Sequence, residues 1–331
     1  MTMDLKRPAH ARQQGTWPLA GLASLCALAT PAFVQVPLSI EQAITAGGHT
    51  VDGRAMAQLY GPLQEHAPYT GVTVTRGVKY GALDQQAADV FAPSRAARAP
   101  RPILIFVHGG GFTGGARSQP DSPFYDNVGV WAARHGYIGI TIDYRLAPAA
   151  TWPAAAEDVA AAVRWVHDHA ASYGGDPRQI FLMGHSAGAT HVATYGADPS
   201  LCGFDHALVR GLIIVSGSFT VENADAAAPA DKPLLMRAKA YFGNDPAKFG
   251  AQSSLNGLLG SGLPMLVANA EFDPDYFLAQ RKLLLSDGRA ASIQAVMLAG
   301  HNHMSEIDAV NTQDDSLTRE ILAFTRRNLK Q

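Results

Sequence analysis

A serine flanked by glycines, Gly184-His185-Ser186-Ala187-Gly188, follows the apolar run Ile180–Met183 and precedes a stretch of small, helix-compatible residues. A hydroxyl is hardly ionised near neutral pH, so it attacks a carbonyl only when a neighbouring base removes its proton. Gly-x-Ser-x-Gly between a strand and a helix is the setting that exposes such a hydroxyl. Glycines at 184 and 188 let the strained turn close without side chains meeting the neighbouring backbone. The helix start also aims its positive dipole end at the reacting centre. Ser186 is therefore the candidate nucleophile.

Attack on a carbonyl builds an oxyanion, which needs N–H donors already in place. His108-Gly109-Gly110-Gly111 follows another apolar run, Ile103–Val107, and its glycines let the main chain approach a substrate closely. Gly110, Gly111 and Ala187 are the candidate oxyanion-hole donors. A phosphate loop is the competing reading, but no Gly-Lys-Ser/Thr follows. His108 reads as a brace for this loop. An acid and then a histidine are expected downstream of a serine elbow. Asp273, in Ala270-Glu271-Phe272-Asp273-Pro274, is the preferred acid, and Glu271 is its rival. The base is His301 or His303, in Gly300-His301-Asn302-His303. In an extended segment both would point to one side, so alternation leaves the choice open.

These residues need a scaffold that brings distant loops together. From residue 71 onward, short apolar runs alternate with helical stretches. Strands are expected near 71–78, 88–91, 103–107, 138–144, 180–183, 212–215, 265–270 and 293–298. Helices are expected over 124–134, 154–171, 187–195, 276–286 and 305–327. The pattern implies an α/β fold with a mostly parallel central sheet, helices on both faces and a small cap or lid region. Residues 71–331 form the expected catalytic domain. Residues 30–70 are an N-terminal segment that could cover its mouth. The excursion 217–262 is too long for an ordinary loop, and a helix is expected within it over 233–242.

His108-Gly-Gly-Gly111, Asp143-Tyr-Arg-Leu-Ala-Pro148, Pro153-Ala-Ala-Ala-Glu-Asp158, Gly184-His-Ser-Ala-Gly188, Glu271-Phe-Asp-Pro274 and His303 occur in that order. The set, spanning roughly residues 71–328, resembles the hormone-sensitive-lipase-like group of α/β-hydrolases and related bacterial carboxylesterases. His185 departs from that pattern, since many of those esterases carry Asp before the serine. His-Ser-Ala-Gly-Ala is more similar to arylformamidases and to feruloyl or acetylxylan esterase relatives. The resemblance implies small ester substrates and no cofactor. It also favours His303 as base, because the family base falls about three residues after such a glycine, and Ser305 could then cap the next helix. Arg145 paired with Asp158 would brace the loops behind the oxyanion glycines.

Composition narrows the partners. The chain has 331 residues, 47% hydrophobic and 16% charged, with a formal net charge of -2. No basic field is present to attract nucleic acid or an anionic membrane. Neither of the two cysteines, Cys26 and Cys202, has metal or redox spacing. No His/Cys/Asp/Glu set has zinc spacing, so neither a metal nor another cofactor is expected. Lys6, Arg7 and Arg12, the apolar stretch Trp17–Ala29 and the small-x-small Ala27-Leu28-Ala29 read as a signal peptide over 1–29. Export to a periplasm or the exterior follows from that reading, with a cytoplasmic chain as the alternative. Stable membrane insertion is not expected, and oligomeric state is not encoded legibly. Residues 217–232 are mostly Ala, Ser, Asn, Asp and Glu, a poor lipid-binding surface, so short acyl groups are expected. Two rival functions remain: an arylformamidase-like amide hydrolase, and a non-catalytic small-molecule receptor.

Overall fold

Eight segments rich in β-branched and aromatic residues become strands: β1 Val72–Lys79, β2 Ala87–Pro93, β3 Arg101–Val107, β4 Ile138–Ile142, β5 Gly175–His185, β6 Val209–Val215, β7 Met265–Phe272 and β8 Gln294–Asn302. They form one sheet in the order β1-β2-β4-β3-β5-β6-β7-β8. The β1–β2 and β2–β4 pairs are antiparallel, and all the others are parallel. The computed structural model describes Met1 and residues 37–202, 208–226 and 229–329. The leader expected over 1–29 lies outside these residues, Met1 apart.

The central strands are apolar on both faces because both are covered. In β3, Ile103, Ile105 and Val107 enter one core, and Leu104 and Phe106 enter the other. The first core takes Val159, Val163 and Val166 from helix Ala154–His169, with Val192 from helix Ala187–Ala197. The second takes Trp131 from helix Asp126–Arg134 and Ile321 and Phe324 from helix Thr318–Asn328. Each such side chain contributes about 1.5–3 kcal/mol on burial, so this sandwich holds the loops at the strand ends rigidly. Ile40 and Ile44 of helix Leu38–Gly47 and Met56 of helix Gly53–Tyr60 join the second core. The long excursion carries helices Lys232–Phe242, Pro246–Gln252 and Leu255–Gly260. No helix among the described residues is long and apolar enough to cross a membrane.

Two expectations need correction. The single helix expected over 305–327 is two helices, Ser305–Asp308 and Thr318–Asn328. Between them Asn311 adopts a φ of 69°. Thr312 Oγ1 bonds the Ala309 carbonyl at 2.6 Å, and Asp314 Oδ1 accepts the Ser316 N–H at 2.9 Å. Such local side-chain bonds compete with the helical ladder and end it. Ser305 is also not the cap. Asn302 Oδ1 accepts the N–H groups of Met304 and Ser305 at 3.2 and 2.9 Å.

Candidate active site

Ser186 sits in the turn between β5 and helix Ala187–Ala197 with φ 55° and ψ −122°, outside the regions where a side-chain-bearing residue rests easily. The surrounding glycines make this turn feasible. A Cβ at Gly184 would lie 2.4 Å from the Gly188 carbonyl oxygen, and one at Gly188 would lie 2.2 Å from that of Val107. The Ser186 N–H donates to Val215 O on β6 at 2.9 Å, which anchors the turn to the sheet. Strain of this kind persists only where the frame enforces it.

The loops after β7 and β8 bring the other two groups to this turn. His303 Nε2 is 2.9 Å from Ser186 Oγ, and His303 Nδ1 is 2.9 Å from Asp273 Oδ1. Because Asp273 can only accept when ionised, Nδ1 carries the proton and Nε2 is free to take one from the serine. Asp273 Oδ2 accepts from Ser216 Oγ at 2.5 Å, Asn269 Nδ2 at 3.0 Å and the Ala270 N–H at 3.2 Å. Burial alone would raise the Asp273 carboxyl. The bond and charge of His303, with the Ser216 and Asn269 bonds, outweigh it and hold the group below the ordinary range. Phe277 stacks on the His303 ring at 4.6 Å and 11°, fixing its plane.

The rivals lie elsewhere. Glu271 is exposed, and its Oε2 accepts the Gly300 N–H at 2.9 Å. His301 is buried, with Nδ1 3.1 Å from Ser305 Oγ and Nε2 3.2 Å from Asp314 Oδ2. It neither reaches Ser186 nor borders the pocket.

The glycine loop takes backbone shapes that side chains resist: φ is 131° at Gly110 and 61° at Gly111. A Cβ at Gly110 would strike the Gly114 carbonyl oxygen at 2.0 Å. Among the described residues, the N–H groups of Gly110, Gly111 and Ala187 make none of the turn, loop or cap bonds. His108 holds the loop, with Nδ1 2.6 Å from Gly109 O, so this nitrogen donates. Tyr144 stacks on it at 4.4 Å and donates to its carbonyl at 2.9 Å. Arg145 meets Asp158 as anticipated, with its N–H and Nε donating to Oδ2 at 2.8 and 2.9 Å. A larger ionic web behind the loop was invisible in the sequence. Arg117 bridges Asp89 and Asp143, and Arg76 bridges Asp89 and Asp126. Its five members come from five separate segments with no spacing to mark them.

Ser186 and His303 open into a pocket of about 750 Å³ bordered by His49 and Val51 of the N-terminal segment, Gly110 and Gly111, and Leu234 and Arg237 of helix Lys232–Phe242. A narrow crevice of about 10 Å³ lies beside it, lined by Ser186, Ala187, Thr190, Ser218, Tyr276 and Phe277 among others.

His185, whose type departs from the esterase pattern, has a structural role that its place in the sequence does not reveal. Its Nε2 donates to the His303 carbonyl at 2.8 Å, tethering the loop that carries the base. Burial, then the neighbouring His303, pushes His185 down to about 3, so it is neutral. Glu306 lies 3.4 Å from the same Nε2, and burial followed by Asp273 raises its carboxyl well above the ordinary range. His185, His303 and Glu306 bring potential ligand atoms within 4.8 Å of one another. The donor set is a poor metal site as it stands. Both nitrogens of His303 are engaged, His185 Nε2 is bonded to a carbonyl, and burial favours the protonated form of Glu306.

The family described as BD-FAE matches residues 88–209. Esterase LipQ of Mycobacterium tuberculosis is 30% identical over 264 residues, covering 75% of this chain and 60% of LipQ. The chain thus spans less than two thirds of that relative's length. Esterase LipI of the same organism is 28% identical over 241 residues, covering 69% of this chain and 73% of LipI. Among solved structures, one titled Bacterial Heroin Esterase superposes with a TM-score of 0.67 at 24% identity, covering 90% of this chain and 99% of that one. With the serine elbow, the glycine loop and the parallel sheet already in place, the chain has the α/β-hydrolase fold and is similar in sequence to esterases.

Proposed function

We propose that this protein is a carboxylesterase working through an acyl-enzyme on Ser186. The carrying observation is the continuous hydrogen-bonded line from Ser186 Oγ through His303 to buried Asp273, opening on a pocket beside free backbone N–H groups. In this reading His303 Nε2 takes the serine proton as Oγ attacks the ester carbonyl. Asp273 keeps the ring in the right tautomer and stabilises the imidazolium. The N–H groups of Gly110, Gly111 and Ala187 stabilise the oxyanion, each donor being worth roughly 10²–10³ in rate. Collapse breaks the C–O bond, and His303 returns its proton to the leaving alcohol. A water, deprotonated by the same nitrogen, then releases the acid and regenerates the serine.

The crevice supports a short acyl group. Its volume of about 10 Å³ next to Ser186 and Ala187 suits an acetyl methyl, while the 750 Å³ pocket suits the alcohol part. The same crevice would admit a formyl group, so a formanilide belongs in any substrate panel. Ser186→Ala should lower turnover of an aryl acetate by on the order of 10⁶, and a fluorophosphonate probe should label the parent but not the variant. Labelling that persists without Ser186, or activity within tenfold of the parent, would reject the assignment. Faster hydrolysis of a palmitate than of an acetate would reject the acyl-site reading.

A further inference from the structure

We propose that Arg237 selects esters whose alcohol part carries an anionic group. The inference rests on the esterase reading above and assigns a substrate class to the same pocket. Helix Lys232–Phe242 places Pro233, Leu234 and Arg237 on one face by their three- and four-residue spacing, and all three border the pocket that holds Ser186 and His303. Arg237 also crosses the glycine loop. A Cβ at Gly111 would stand 2.7 Å from its Cδ and 3.3 Å from its Nη1. The missing side chain at 111 is therefore what gives the arginine stem its seat, with the guanidinium beside the oxyanion donors.

No carboxylate of the described residues pairs with Arg237, whereas Arg76, Arg117, Arg134, Arg145, Arg178, Arg289 and Arg319 all have acidic partners. Asp231 and Asp275 also border the pocket, but neither forms an ion pair with Arg237; Asp275 stands 4.0 Å from His49 Nδ1. An unpaired guanidinium offers paired N–H donors matched to a carboxylate or phosphate. Because the narrow crevice takes the acyl group, the group that meets Arg237 belongs to the alcohol.

The test compares 4-acetoxybenzoate and 4-acetoxyphenyl phosphate with neutral 4-acetoxybenzamide, using the parent, Arg237→Gln and Arg237→Lys. Taking each variant's ratio of kcat/KM for anionic over neutral ester, relative to the parent's, cancels leaving-group reactivity. That ratio should fall tenfold or more in Arg237→Gln for at least one anion, and less in Arg237→Lys, which keeps the charge but not the fork. The anion showing the larger fall identifies carboxylate or phosphate as the ligand. A ratio that stays within twofold for both anions overturns the proposal, while Ser186-dependent hydrolysis of the benzamide leaves the esterase reading standing. Absence of Ser186-dependent turnover on all three esters rejects the esterase reading, and this inference with it.

Discussion

Two serine–histidine–aspartate sets lie close together in this molecule, and only one is placed to do chemistry. Ser186, His303 and Asp273 are linked at 2.9 and 2.9 Å. Ser305, His301 and Asp314 stand at 3.1 and 3.2 Å. All six residues are buried, and both carboxyls lie below the ordinary range: burial raises them, and the neighbouring histidine together with further hydrogen-bond donors more than offsets it. The difference is what surrounds the hydroxyl. Ser186 projects from a strained turn beside free N–H donors and a pocket. Ser305 Oγ instead accepts the Asn302 N–H at 2.8 Å and reaches the Asn302 carbonyl at 3.3 Å, so it ties a loop. Residue type and proximity make a buried trio; an unencumbered hydroxyl, oxyanion donors and room for substrate make a nucleophile.

Paired substitutions in the two sets give the largest expected contrast. Asp273→Asn should lower kcat on an aryl acetate by on the order of 10⁴, by holding His303 in the wrong tautomer. Asp314→Asn should leave kcat within a few-fold. His303→Ala should lose about 10³-fold or more in kcat/KM, and His301→Ala far less. Equal losses in the two sets would erase the distinction. Stability should show the opposite emphasis. His301→Ala removes the ring that stands 3.2 Å from buried Asp314, and a buried polar group left unmet costs about 1–3 kcal/mol. Urea unfolding of His301→Ala with an unchanged midpoint would show that this second trio is not a structural tie.

What could be read in advance divides along the same line. The elbow and the glycine loop were legible because their demands are mostly local: Gly110, Gly184 and Gly188 each answer a backbone contact a few residues away or on the adjoining strand. The sheet was legible because continuous apolar runs mark doubly covered strands. The choice between His301 and His303 was not, since alternation treats them alike and only the resemblance separated them. The supports of Asp273 were missed too. Ser216 is 57 residues distant, and nothing in its neighbourhood marks it as a partner for a carboxylate. The start of β5 at Gly175 was hidden by Gly175-Asp176-Pro177, which reads as a turn. The broken C-terminal helix shows apolar periodicity overruled by side-chain bonds within 309–316.

A pH series probes the boundary between the two trios, where Glu306 and Asp308 lie. Both are fully buried, and both carboxyls sit well above the ordinary range, Asp308 through burial and Glu306 through burial and then Asp273. In the folded chain they keep their protons at a pH where the unfolded chain has lost them. The unfolded state then binds fewer protons, so stability falls as pH rises above the unfolded carboxyl value of about 4. Each group adds about 1.4 kcal/mol per pH unit to that decline. Glu306→Gln removes one titrating group while keeping its shape, so unfolding free energies measured from pH 5 upward should decline less steeply in the variant than in the parent. An identical slope in parent and variant would mean that Glu306 is ionised in the fold.

The smallest expected effect concerns how firmly the catalytic carboxylate is held. Asp273 Oδ2 accepts three hydrogen bonds, and the one from Ser216 Oγ, at 2.5 Å, is the shortest. Ser216 is fully buried at the end of β6, where its N–H also donates to Ala268 O at 2.9 Å, so the backbone stays anchored when the hydroxyl is removed. A hydrogen bond to a charged group is worth about 1.5–3 kcal/mol. Two donors remain on the oxygen, so the loss in Ser216→Ala should fall near the lower end, about tenfold in kcat. Acid stability should respond in the same variant. Asp273 lies below its ordinary range when folded, so it contributes stability that is present above the unfolded value of about 4 and is lost as pH falls through the folded value. Removing the Ser216 bond moves the folded value up toward the unfolded one and shrinks that contribution. Ser216→Ala should therefore be less stable than the parent at neutral pH, with the gap narrowing on acidification. Asn302 offers the matching control for the second trio. Its side chain caps the loop that holds Ser305, so Asn302→Ala should lower the unfolding midpoint with a smaller change in kcat than Ser216→Ala. The reverse order of kcat losses would place the second trio, rather than the hold on Asp273, in control of the active site.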